Sequence, residues 1–183
     1  MKRPIPTNNE VNFSTKKYLI SKTDQKGIII EVNDYICKVS GYEESELVGQ
    51  EHNVIRHPDM PKAIFKMMWD RLSKGRTITS IIKNLTKDGH YYWVVAEFEI
   101  KRDHKTDKII AYTSFQRVPP QKAIDKMTLI YKKLLEIEKK DGVNDSLKYF
   151  LGFLDRNKIN YDEFVKELVD EGGFFKSLSG MFS

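Results

Sequence analysis

Hydrophobic residues along the first two thirds of the chain change their spacing several times, and each change predicts a change of secondary structure. Five runs rich in β-branched and aromatic residues, bounded by turn residues, predict strands at 18–23, 27–33, 78–86, 90–100 and 108–118. The alternation is clearest in the fourth run. It predicts that one face of the sheet carries Tyr92, Val94, Ala96, Phe98 and Ile100 while Trp93 faces the other side.

Between the second and third runs the spacing becomes helical. Asn33 is a suitable cap for a first short helix, which Gly41 ends, and a longer amphipathic helix begins at Pro61. The order of two strands, several short helices and three strands predicts an α+β domain over residues 17–118. Its five-stranded antiparallel sheet is expected to have the helices crossing one face.

The remainder of the chain has a helical pattern. After the Pro119-Pro120 boundary, residues 119–140 predict an output helix with a short coiled-coil-like seam of Met127, Ile130, Leu134 and Ile137. So short a seam has to pack on its own domain, on a second copy in a homodimer, or on a partner. Residues 141–183 predict a helical extension, and residues 1–16 predict an N-terminal cap or a disordered segment.

Composition and charge narrow the classes of function. The 183 residues carry a net charge of +5, but no basic run interleaved with aromatic residues points to nucleic acid. No stretch approaches the ~18 to 20 apolar residues of a membrane span, and the N-terminus does not have the pattern of a secretory signal. We therefore expect a cytoplasmic protein that reaches a membrane only through a partner or through its phenylalanine-rich tail at 174–182, which can equally fold back as core.

Motifs for catalysis and metal binding are missing. The sequence has no nucleophile elbow, phosphate-binding glycine loop or zinc-protease motif, so an enzyme is not expected. Cys37 is the only cysteine, which excludes an internal disulfide. The segment from Asp155 resembles a calcium loop, but its sixth position is not glycine and its twelfth is Lys166.

One short segment, HNVIRHPDMPK at 52–62, concentrates charge and hydrogen-bonding groups on a backbone stiffened by two prolines. Arg56 provides a fork of donors suited to phosphate, and His52 and His57 can donate or accept. Rings that can wall a slot for a planar group are Phe65, Trp69 and Trp93. The set suits a nucleotide-type cofactor better than a surface ion pair of Arg56 with Asp59, which would contribute only ~0 to 1 kcal/mol.

Five short motifs in order carry a resemblance to a known family. N-D at 33–34, S-G-Y at 40–42, G-Q-x-H-N at 49–53, R-H-P-D-M-P-K at 56–62 and K-N at 83–84 resemble the PAS sensor domain of bacterial aerotaxis and energy-taxis receptors. That family includes small stand-alone PAS proteins that work with a separate chemoreceptor. The resemblance covers roughly residues 17–118 and implies a PAS fold, non-covalently bound FAD and redox signalling to a chemotaxis partner.

The resemblance also implies which residues surround the flavin. The family's flavin-associated positions fall on Asn33, His52, Arg56, His57, Asp59, Phe65, Trp69 and Asn84. We assign Asn33 and Asn84 to the polar edge of the isoalloxazine or to the pocket lining. Arg56, His57 and Asp59 are assigned to the ribityl and phosphate side or to holding the loop. One departure is Ile78, which stands where the family usually has a Trp.

Two other functions remain compatible with a PAS fold. One is a ligand-free interaction module whose former pocket is filled by side chains such as Ile78 and which docks through residues 121–183. The other is a haem-binding sensor with His52 or His57 as the axial ligand. A light-driven thiol adduct is not expected, because His52 stands where light-sensing relatives have a reactive cysteine.

Overall fold

The computed structural model describes residues 3–170, and a five-stranded antiparallel sheet lies at its centre. The strands are β1 (Leu19–Thr23), β2 (Ile29–Val32), β3 (Thr79–Leu85), β4 (Tyr91–Arg102) and β5 (Ile109–Arg117). Their order across the sheet is β2-β1-β5-β4-β3, so the first and last strands of the domain lie side by side. The predicted α+β fold with a five-stranded antiparallel sheet is confirmed.

Short helices connect β2 to β3 and cover one face of the sheet. They are α1 (Asp34–Ser40), α2 (Glu44–Leu47), a 3₁₀ turn (His52–Ile55) and α3 (Lys62–Ser73). Gly41 ends α1 in the left-handed conformation, with φ of 75°, as the sequence predicts. Pro61 precedes the first residue of α3, where its missing N–H costs no helical hydrogen bond.

The two faces of β4 are buried by different parts of the chain. Tyr92, Val94 and Ala96 lie in the core under the short helices, as their alternation predicts. On the other face the Trp93 ring stacks on Tyr131, with ring centroids 6.2 Å apart and an interplanar angle of 18°. The expectation that Trp93 walls a ligand slot together with Phe65 and Trp69 is therefore wrong, because an adjacent helix covers Trp93.

Three C-terminal helices form a helical extension on the β3 side of the sheet. They are α4 (Gln121–Asp141), α5 (Val143–Arg156) and α6 (Tyr161–Val169). Three of the four seam residues, Met127, Ile130 and Leu134, are fully buried within the single chain. Of the three ways to bury the seam, the structure shows packing on its own domain. The calcium-like segment instead supplies Asn160 as the cap of α6, where its side chain accepts from the Glu163 N–H.

The segment before β1 packs on the start of β4. The Val11 N–H donates to the Tyr91 carbonyl at 2.7 Å, and the Tyr91 N–H donates to the Asn9 carbonyl at 3.0 Å. Phe13 meets the Tyr92 ring edge-on at 6.1 Å. The described part of this segment therefore lies against the sheet domain, and its assignment as a cap stays a prediction. The phenylalanine-rich tail lies outside the described residues, and within residues 3–170 no helix has the length and apolar character of a membrane span.

Candidate functional site

A cavity of about 210 Å³ lies between the inner face of the sheet, α3 and the 3₁₀ turn. Its walls include side chains from all three elements, among them Ser21, His52, Arg56, Phe65, Met68, Trp69, Asn84, Phe98, Tyr112, Ser114 and Gln116. For comparison, an engineered apolar cavity of ~150 Å³ is large enough for benzene. The structure thus brings together five of the eight predicted site residues, namely His52, Arg56, Phe65, Trp69 and Asn84.

The apolar wall of the cavity comes from one face of α3. Phe65, Met68 and Trp69 are spaced three and four residues apart, so they project from the same side of the helix. The Trp69 ring meets Tyr112 edge-on, with centroids 5.6 Å apart. It also lies against Gly27, where an added Cβ would be 3.0 Å from the ring and φ is +82°. A side chain at Gly27 would displace this wall.

Arg56 lies at the cavity with its guanidinium over an aromatic ring. The guanidinium carbon is 5.1 Å from the centroid of Phe65, close enough for a cation–π contact. Within the described part of the chain its guanidinium has no hydrogen bond or ion pair. Burial, followed by the nearby Arg3, lowers the pKa of Arg56, while Glu138 and Glu51 act in the opposite direction. A half-buried cation without such an ionic partner is suited to bind an anionic group of a ligand.

His52 belongs to a polar cluster with two strand residues. Its Nε2 lies 2.9 Å from Ser21 Oγ, and the Gln116 amide donates to the same oxygen at 3.4 Å. Burial lowers the pKa of His52 to about 4, so the ring is neutral at pH 7. The His52 backbone N–H donates to the Gly27 carbonyl at 2.9 Å, which fixes the 3₁₀ turn next to the β1–β2 hairpin.

Two buried polar atoms in the cavity wall have no partner among the described residues: Gln116 Oε1 and Ser114 Oγ. Asn84 is also buried, and its side chain lies next to the Tyr92 hydroxyl. Buried polar groups are almost always hydrogen-bonded, so these atoms are available to a polar ligand. Sequence reasoning missed Ser21, Ser114 and Gln116. A signal was present in the alternation, because polar Ser21 and Thr23 share one face of β1 and Ser114 and Gln116 share one face of β5.

Asn33 does not line the cavity. Its Oδ1 accepts from the backbone N–H groups of Ile20 and Ile36 at 3.0 and 3.1 Å, and its Nδ2 donates to the Tyr18 carbonyl at 2.9 Å. All of its side-chain hydrogen-bonding atoms therefore hold α1 against β1. The structure gives this residue a scaffold role, away from the polar edge of any ligand in the cavity.

His57 and Asp59 also lie outside the cavity wall. The His57 N–H donates to the Lys83 carbonyl at 3.2 Å, and the Asp59 carboxylate pairs with Lys83 Nζ at 2.7 Å. The Asp59 N–H donates to His57 Nδ1 at 3.1 Å. Burial lowers the pKa of His57 to about 4. Of the two roles considered for this pair, the geometry favours holding the loop against β3.

Ile78 is buried with 4% of its surface exposed, yet it is absent from the cavity wall. The ligand-free interpretation expected this side chain to fill the cavity, and the structure shows that it does not. Phe65, Trp69, Phe98 and Tyr112 supply the aromatic surface at the cavity, so the wall contains four such rings without an aromatic residue at 78.

Comparison with known proteins gives a consistent picture. A family model described as PAS fold matches residues 29–113. The aerotaxis receptor of Escherichia coli (strain K12) is 39% identical over 132 residues, which cover 72% of this chain and 26% of the receptor. The chain thus spans about a quarter of that relative's length.

Two solved structures show the same fold. The PAS domain of a protein from Colwellia psychrerythraea aligns with a TM-score of 0.51 and 22% identity, covering 57% of this chain and 87% of that one. A Light-Oxygen-Voltage domain studied with a flavin analogue aligns with a TM-score of 0.53 and 22% identity, covering 62% and 86%. The chain therefore contains a PAS domain homologous to the PAS domain of the aerotaxis receptor.

Proposed function

We propose that this PAS domain binds FAD non-covalently and serves as a redox or energy sensor that signals to a chemoreceptor or another partner. The observation that carries the proposal is Arg56, a half-buried guanidinium with no hydrogen bond or ion pair in the described chain, next to a cavity that contains unpaired polar atoms. The motif resemblance to the aerotaxis family supports the choice of FAD over other nucleotides.

The residues present fit a flavin in chemical terms. An isoalloxazine ring is planar and largely apolar, which suits a wall made of Phe65, Met68 and Trp69. Its pyrimidine edge requires both donors and acceptors, and Asn84 and Gln116 carry amides that provide both. Lys26 also lines the cavity, so a further cation is available there for a phosphate-containing chain.

A bound flavin supplies reversible reduction, with a change of charge and hydrogen bonding at its ring. The chain's own contribution is the cluster of Ser21, His52 and Gln116, which contains a hydroxyl, a neutral imidazole and an amide with both a donor and an acceptor. Such a cluster can exchange donors for acceptors without charging His52. A change in these hydrogen bonds displaces strand or helix side chains, and a coupling of ~1 to 3 kcal/mol is enough to bias a partner's state.

The absorbance spectrum of the purified chain tests the proposal. Flavin bands that bleach with dithionite, together with FAD released on denaturation, are the expected result. A Soret band would instead identify the haem alternative. A featureless spectrum that persists after incubation with excess FAD would reject FAD binding and leave the ligand-free interaction module as the better function.

A further inference from the structure

Helix α3, which forms the apolar wall of the cavity, is held from outside by all three helices of the extension. At its N-terminus, the Ala63 and Lys62 N–H groups donate to the two carboxylate oxygens of Glu138 in α4, at 2.7 and 3.1 Å. Midway along α3, Lys66 Nζ donates to the Asn144 side chain of α5. Near its C-terminus, Arg71 pairs with Asp162 of α6 at 2.6 Å.

The Glu138 contact replaces a cap that α3 does not have locally. Pro61 precedes the helix and has no side-chain acceptor, and the first turn contains no acidic residue. A carboxylate from 76 residues further along the chain supplies both the hydrogen bonds and the negative charge that the positive end of a helix favours. The extension is thus needed to complete the N-terminal end of the cavity helix.

The same carboxylate lies next to the ligand-facing loop. Lys62 ends the segment that contains Arg56, and Phe65, the ring beneath the Arg56 guanidinium, lies in the first turn of α3. Of the two nearby carboxylates that raise the pKa of Arg56, Glu138 has the larger effect and Glu51 the smaller. One carboxylate therefore contacts the start of the cavity wall and influences the cation at the cavity.

Helix α4 is well placed to transmit a change at Glu138. Its middle is fixed to the sheet, since the Tyr131 ring stacks on Trp93 and its hydroxyl donates to the Ile81 carbonyl. Glu138 lies two turns beyond this anchor, close to the junction with α5 at Gly142. A shift at the N-terminus of α3 will therefore act on the end of α4 and on α5 before it reaches the anchored middle.

We propose that Glu138 is a positioning residue that couples the helical extension to the cavity, so that ligand binding and docking of the extension strengthen each other. The coupling is reciprocal, because a ligand favoured by the docked extension must in turn favour docking. The proposal rests on the proposed function only for the identity of the ligand as FAD. It assigns to the extension a part in forming the ligand site.

Hydrogen exchange by mass spectrometry on the full chain, with and without FAD, tests the coupling. The variant is Glu138→Gln, which keeps the shape but removes the charge and one acceptor. The matched control is Glu136→Gln, an exposed position on the same helix that changes the net charge equally. We expect Glu138→Gln to speed exchange in 52–63 and to raise the Kd for FAD roughly fivefold, with the control within about twofold of the parent.

The effect of FAD on the extension is the sharper test, because the coupling has to act in both directions. FAD should slow exchange across 132–145 in the parent chain and much less in Glu138→Gln. Glu138→Asp, which keeps the carboxylate, should show a smaller effect than Glu138→Gln and provides a second variant if the first does not fold. If Glu138→Gln and its control match in exchange and in FAD affinity, the coupling is refuted. If the parent chain binds no FAD, the proposed function fails. Exchange in 52–63 without ligand, compared between Glu138→Gln and its control, then still shows whether Glu138 couples the extension to the cavity.

Discussion

Replacement of Arg56 by alanine separates binding of the phosphate-containing chain from binding of the ring. Among residues 3–170 the guanidinium has no hydrogen bond or ion pair to lose, and it makes a cation–π contact with Phe65 at 5.1 Å. That contact contributes roughly 0.5 to 1 kcal/mol at partly exposed sites, so the free energy of unfolding should change little. The effect on a bound anion should be larger, because hydrogen bonds to charged groups are worth about 1.5 to 3 kcal/mol.

The expected result is a rise in the Kd for FAD of roughly 10- to 100-fold, since each 1.4 kcal/mol corresponds to about tenfold. Riboflavin, which contains the ring but no phosphate, should bind the parent chain and Arg56→Ala with Kd values within about twofold of each other. Fluorescence titration with both ligands measures this difference. Arg76→Ala, at an exposed arginine after α3, is the control for loss of one positive charge.

Three outcomes would contradict the role assigned to Arg56. An unchanged FAD affinity would show that the guanidinium does not bind the ligand's phosphates. An equal loss of affinity for FAD and riboflavin would show that Arg56 acts on the ring or on the shape of the pocket. A large drop in stability of the variant, by more than about 2 kcal/mol, would show that it stabilises the fold.

Three further changes test other parts of the site and its scaffold. Gly27→Ala should lower the free energy of unfolding by about 1 to 3 kcal/mol in urea titration, because its φ of +82° disfavours a side chain and its Cβ would crowd Trp69; an unchanged midpoint would contradict this. Tyr131→Phe should cost about 1 to 2 kcal/mol, since the buried Ile81 carbonyl loses its donor, and an effect near zero in the same titration would show that water replaces the hydroxyl. His52 has a pKa of about 4 when folded and 6.5 as its reference value, so its contribution to stability is fully present above pH 6.5 and is lost as the pH falls towards 4. In urea titrations at several pH values, this residue should lower the free energy of unfolding by about 2 to 3 kcal/mol over that range. The free energy of unfolding should depend less steeply on pH in His52→Gln; equal slopes would refute the shift.

The sheet and the short helices between β2 and β3 were predictable because their signals are local. Alternation in β4, the cap at Asn33 and the left-handed Gly41 each depend on a few neighbouring residues. The position of Trp93 was not predictable in the same way. The strand pattern shows that Trp93 faces away from Tyr92. The partner that buries it, however, is Tyr131, in a helix that is adjacent in space but distant in sequence.

The candidate site was predictable in part for the same reason. His52, Arg56 and Phe65 belong to one continuous segment whose residue types suit a cofactor, and all three line the cavity. His57, in the same segment, turns towards β3, since backbone pairing with Lys83 sets its direction. Gln116 completes the cavity from the last strand, and its role emerges only when sheet order places β5 between β1 and β4.

Contacts at both edges of the sheet restrict how a partner can recognise this domain. A strand edge with free N–H and C=O groups would permit binding by strand addition. At the β3 edge, however, the Ile81 carbonyl accepts from Tyr131 and the Lys83 carbonyl accepts from His57. At the β2 edge, Ile29 pairs in both directions with 49–50. These positions are closed to strand addition, which favours the helices or the outer sheet face as the route of the proposed signal. The extension is then the nearest route, because its α4 both covers the β3 edge and supplies the carboxylate that caps the cavity helix.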